Sequence, residues 1–92
     1  PPLGQLTRDI TAEASGVVEE IDGAQINRIA MTAGAPLDKG AGVDLFKKVG
    51  DSVEQGEVLY RIYASKPTSF AFTNGLAEGN SGYKISLKGN SF

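Results

Sequence analysis

Hydrophobic positions along the chain change period several times, and each change marks an element. Gly16-Val17-Val18-Glu19-Glu20-Ile21 reads as the first strand, inside a stretch from Asp9 to Ile21 that can be extended. Its alternation is imperfect, because Glu19 falls on the face of Val17 and Ile21. The period then lengthens. Ile26, Ile29, Ala30 and Ala33 are spaced i, i+3, i+4 and i+7, the apolar stripe of a helix over about 23–33. Asp22 is placed to cap it, Gln25 completes a capping-box pattern, and Gly34 with Pro36 ends it.

Residues 34–42 are a glycine-rich loop, and Val43–Val49 follows as a strand with Phe46 opposite Val43, Leu45 and Val49. Gly50-Asp51 and Gln55-Gly56 are turn signals on either side of Val53. Val58–Ala64 is the strongest strand. Apolar residues on both of its faces, with Tyr60 on one and Tyr63 on the other, predict cover on both sides. A short helix over about 68–78, capped by Thr68 or Ser69, is weakened by Gly75. Tyr83, Ile85 and Leu87 alternate with Lys84, Ser86 and Lys88 as a half-buried strand. The pattern thus counts four or so strands, a helix over about 23–33 and the weaker one over about 68–78. Residues 1–7 read as a linker, 8–88 as one domain and 89–92 as a tail.

Composition removes most catalytic options. The 92 residues include 12 Gly but no Cys, His or Trp. A self-contained Ser-His-Asp triad, a Cys-His pair and zinc sites with His or Cys ligands are excluded. No disulfide can form, so nothing points to an oxidising compartment, and a cytoplasmic location is expected. Nine Lys and Arg stand against eleven Asp and Glu, net −2. With no basic stripe, nucleic acid is not an expected partner. The longest uncharged stretch, Pro67 to Ala77, is far shorter than the ~20 apolar residues of a bilayer span, so a membrane is not expected either. Pro1-Pro2 reads as the start of a piece cut from a longer chain.

The candidate chemistry is thin. Gly40-Ala41-Gly42 offers amides for an anion nest, but Lys39 precedes the glycines and a strand follows, which is not a phosphate-binding loop. Glu19 and Glu20 on a strand point to opposite faces and cannot act as an acid–base pair. Asp38 and Lys39 are candidates for an ion pair or an interdomain contact. No catalytic residue, metal ligand or cofactor site is assigned.

Two resemblances add to this reading. Gly50-Asp51-Ser52-Val53-Glu54-Gln55-Gly56-Glu57-Val58-Leu59 is similar to the Gly-Asp-x-Val-x-x-Gly-x-x-Leu signature of biotinyl and lipoyl carrier domains. In that register Lys66 falls at the attachment lysine, although Ser65 and Pro67 flank it in place of Met or Asp and the second half-repeat is missing. The run Ile29–Val43, with its Ala-Gly-Ala-Pro-Leu-Asp-Lys-Gly-Ala-Gly core, resembles a different family. Together with Gly16-Val17-Val18, Val49-Gly50-Asp51 and Ile62-Tyr63-Ala64, it is similar to the C-terminal domain of the thymidine and pyrimidine nucleoside phosphorylases, particularly the archaeal type, many of which are AMP phosphorylases.

That second resemblance implies an α+β fold of the hammerhead or barrel-sandwich-hybrid type, mostly antiparallel β, which agrees with the strand and helix count. It also implies a parent pentosyltransferase that uses inorganic phosphate as co-substrate, cleaving thymidine or AMP to a base and a sugar 1-phosphate. The family's substrate-binding residues lie in preceding domains, so this piece alone is expected to be inactive. Its partners would be the catalytic domains of its own chain, with homo-oligomer contacts possible. Gln25, Arg28 and Thr32 on the helix, with Asp38, Lys39 and Gly40 in the loop, are the expected interface residues.

Overall fold

A computed structural model of the protein describes residues 5–87. Strands β1 (Leu6–Thr11), β2 (Gly16–Ile21), β3 (Gly42–Leu45), β4 (Ser52–Val53), β5 (Val58–Ala64) and β6 (Tyr83–Leu87) form two three-stranded sheets. Helices α1 (Gly23–Ala33) and α2 (Pro67–Gly79) pack on each other and on the first sheet. The sheet orders are β1-β5-β3 and β4-β2-β6, and every pairing is antiparallel. The fold class is α+β, as the family resemblance implies.

Strand β5 is central in its sheet, and its inner row of Tyr60, Ile62 and Ala64 is fully buried. Ile10, Val18, Ile29, Val53 and Leu59 complete most of the core. The rings of Tyr60 and Tyr83 lie 5.5 Å apart between the sheets. Each hydroxyl reaches a backbone carbonyl, Tyr60 donating to Ser81 at 2.8 Å and Tyr83 to Lys47 at 2.6 Å. Buried phenols need such acceptors, because an unmade hydrogen bond there costs ~1–3 kcal/mol.

The flawed alternation of the first strand has a structural cause. A register shift lies between Val18 and Glu20, which pair with Ile85 and Lys84 respectively. The bulge leaves Glu19 and Glu20 both exposed and returns Ile21 to the side of Val18, against the core. Gly16, at the start of the strand, has no room for a side chain. A Cβ there would sit 2.0 Å from the Ser86 carbonyl oxygen.

Helix α1 starts and stops where its sequence predicts. Asp22 Oδ1 accepts from the amides of Ala24 and Gln25 at 3.1 and 3.2 Å. Gly34 closes the other end with φ 130°, its amide reaching the carbonyls of Ala30 and Met31. Gln25 does not close a capping box; its side chain turns inward instead.

Three boundaries differ from expectation. Residues 6 and 7 belong to β1 and not to a linker. Leu6, Arg8 and Ile10 share a face, and Arg8 interrupts the apolar alternation that would have marked the strand. Strand β3 ends at Leu45 rather than Val49, because the amides of Phe46 and Lys47 both turn to the single carbonyl of Leu59. Helix α2 runs slightly beyond 68–78, with Lys66 at its N-cap and Pro67 in its first turn. Neither Thr68 nor Ser69 caps it; the Ser69 carbonyl accepts from buried Thr73 at 2.7 Å. Residues 1–4 and the expected 89–92 tail lie outside the described residues.

Candidate interdomain surface

The 34–42 loop is organised around Asp38. Asp38 Oδ1 accepts from the Gly40 amide at 2.9 Å and from Ser65 Oγ at 3.1 Å, while its own carbonyl accepts from the Ala41 amide at 3.0 Å. Two of the three amides in the Gly40-Ala41-Gly42 run are therefore used inside the loop. The Gly40 amide, then Ser65, and more weakly Lys66, hold the Asp38 carboxyl below its ordinary value. The loop is fastened to the C-terminal end of β5, and the Ala35–Pro36 peptide within it is cis.

The expected interface residues divide. Gln25 is buried at 3% exposure, so it is not part of an outer helix face. Its Nε2 donates to the Asn80 carbonyl at 2.8 Å, and its Oε1 accepts from Arg28. A long polar side chain on the helix reads as surface in the sequence, and only the position of the connector after α2 gives it an inner acceptor. Gly40 is also buried. Arg28 and Lys39 are exposed, Asp38 and Thr32 half-exposed, and Thr32 Oγ1 bonds the Arg28 carbonyl at 2.7 Å.

Lys66 is exposed, but β5 does not turn there into a hairpin. The helix begins at the next residue, so Lys66 occupies a strand-to-helix junction rather than the tip a carrier domain presents. The carrier reading has no support.

A cleft of about 530 Å³ opens between β1 and β6. Leu59, Tyr83, Ile85 and Leu87 contribute its apolar part, and Arg8 and Asp9 lie on its edge. Both charged residues are already paired: Arg8 with Glu78 at 2.8 Å, and Asp9 with Arg61 at 2.6 Å. Sequence reading passed over this cleft because β1 itself was only partly legible.

The electrostatic shifts among the described residues follow their partners and their burial. Arg61 lowers the pKa of Asp9, and Lys47 lowers that of Glu57. The partner carboxylates raise Arg61 and Lys47, while burial raises Tyr60 and Tyr83. Every shifted group moves away from neutrality, whereas a general acid or base at neutral pH needs the opposite. No three or more Asp and Glu side chains converge as a metal site among these residues. No helix there is long and apolar enough to cross a membrane.

Comparison with known proteins gives the class of this fold. Residues 17–85 match the model of the pyrimidine nucleoside phosphorylase C-terminal domain, and the chain belongs to that family. It is 60% identical over 83 residues to a protein of Rhodopseudomonas palustris (strain BisA53) named "Putative thymidine phosphorylase", covering 90% of this chain and 16% of that protein. Proteins of the same name from Bradyrhizobium diazoefficiens and Methylococcus capsulatus are 52% and 46% identical, covering 90% and 89% of this chain and 16% of each relative. The chain thus spans about one sixth of the length of these relatives, as one domain of a larger phosphorylase chain. All three relatives are bacterial, so the archaeal type expected from the resemblance is not what they show.

Proposed function

We propose that this domain is the non-catalytic C-terminal part of a thymidine phosphorylase. The match of residues 17–85 to the family's C-terminal domain carries the reading, and the names of the relatives favour thymidine over AMP as substrate. In the parent reaction, inorganic phosphate displaces thymine at the sugar's anomeric carbon. The C–N bond breaks as the C–O bond to phosphate forms, and the products are thymine and deoxyribose 1-phosphate. The enzyme is a pentosyltransferase with phosphate as co-substrate and no further cofactor.

The domain's part is structural: it supports the catalytic domains of its own chain and offers Arg28, Thr32 and Lys39 for contacts between domains or between subunits. Its paired carboxylates and high-pKa phenols support this, since none is set up to move a proton at neutral pH. The test is phosphate-dependent cleavage by the full-length parent, followed by ³¹P NMR. Thymidine is expected to give deoxyribose 1-phosphate. Cleavage of AMP with thymidine untouched would overturn the substrate assignment.

A further inference from the structure

The chain enters and turns at one end of this domain. Leu6, the first residue of β1, pairs with Ala64, the last of β5. Ser65 bonds Asp38, and α2 begins at Pro67. The start of β1, the 34–42 loop and the first turns of α2 therefore meet at the same place. This end carries unusual exposed apolar groups. Leu37, next to Asp38, is 94% exposed, and Phe72 in the second turn of α2 is 70% exposed. Pro67, Thr68, Ala71 and Phe72 form one uncharged patch, with 67/71 and 68/72 each one helical turn apart. Exposed Lys66 immediately precedes Pro67, and exposed Lys39 lies in the 34–42 loop at the same end. An apolar centre with a charged rim is the anatomy of a protein interface.

We propose that this end, with Phe72 and Leu37 as its apolar contacts, docks against the upstream part of the longer phosphorylase chain. The inference rests on the family membership and on the proposed supporting role. Two observations choose the occupant. The domain is C-terminal and covers 16% of its relatives, so most of such a chain lies ahead of β1 and arrives at this end. Covalent attachment also gives that segment a high effective concentration at surfaces near the point of entry. The other exposed phenylalanine among the described residues, Phe46, follows the far end of β3, and the Arg61 guanidinium lies 5.3 Å from its ring.

Hydroxyl-radical footprinting of the full-length parent, without substrate, tests the assignment. In the domain itself Phe72 is more exposed than Phe46, 70% against 46%. Docking inverts that order, and Phe72 labels several-fold more slowly than Phe46. Equal labelling, or faster labelling of Phe72, overturns the proposal. So does protection of Phe72 that disappears when the enzyme is diluted to single chains, which assigns the patch to a second copy. Labelling needs no turnover, so a parent that fails to cleave thymidine overturns the functional reading without deciding this one.

Discussion

Gln25 on α1 and Asn80 after α2 are joined by a 2.8 Å hydrogen bond from the side-chain amide to the backbone carbonyl. The contact spans 55 residues of sequence and fixes the connector into β6 from one side, while Tyr60 holds the next carbonyl, that of Ser81, from another. A residue expected to face outward is therefore part of the domain's internal framework. Gln25→Leu should lower stability by ~1–3 kcal/mol, because a partly buried acceptor loses its donor. Arg28→Leu, at an exposed position, should change it by less than ~1 kcal/mol. Urea unfolding of both variants measures the difference; equal effects would return Gln25 to the surface.

Gly16 and Gly75 should respond to alanine in opposite directions. The new Cβ at position 16 meets a backbone oxygen at 2.0 Å, so β2 and β6 must separate. Gly16→Ala should cost ~3 kcal/mol or more. At Gly75, in the middle of α2, a Cβ meets nothing within 4 Å. Gly75→Ala should stabilise by ~0.5–1 kcal/mol. Thermal unfolding of the two variants is the check.

Acid should weaken the tie between the 34–42 loop and β5. The Asp38 carboxyl has its pKa lowered in the folded state, chiefly by the Gly40 amide and then by Ser65. Its contribution is therefore present above the ordinary carboxylate value of 3.8 and is lost as pH falls through the lower folded value. Asp9 and Glu57 act in the same direction through Arg61 and Lys47. Asp38→Asn should make the stability difference between pH 7 and pH 3 smaller than in the unaltered protein. Urea midpoints at the two pH values read this directly, and an unchanged difference would contradict it.

Much of the framework was legible because local chemistry and tertiary structure agree. Asp22, the 26/29/30/33 stripe and Gly34 specify α1 from cap to cap, and alternation around Tyr60 and Ile62 specifies the central strand. Strand β1 was obscured because Arg8, half-exposed and paired with Glu78, 70 residues away, sits between Leu6 and Ile10 on one face and interrupts the apolar alternation. The Glu19-Glu20 bulge similarly needs β6 to define the register from which it departs. The surface assignments show the same limit. Asp38 reads only as a candidate for an ion pair or an interdomain contact, because its partner Ser65, like the inward turn of Gln25, depends on elements far away in sequence. No local pattern marks Phe72 and Leu37 as exposed, and only the packed domain shows that they remain uncovered.

Phosphorolysis by the 92-residue domain alone tests the central claim most directly. With thymidine and inorganic phosphate under conditions where the full-length parent is active, the domain should release no thymine above the enzyme-free rate. Phosphate-dependent thymine release by the isolated domain would contradict the account, because it would place catalytic groups among residues assigned here to structure alone.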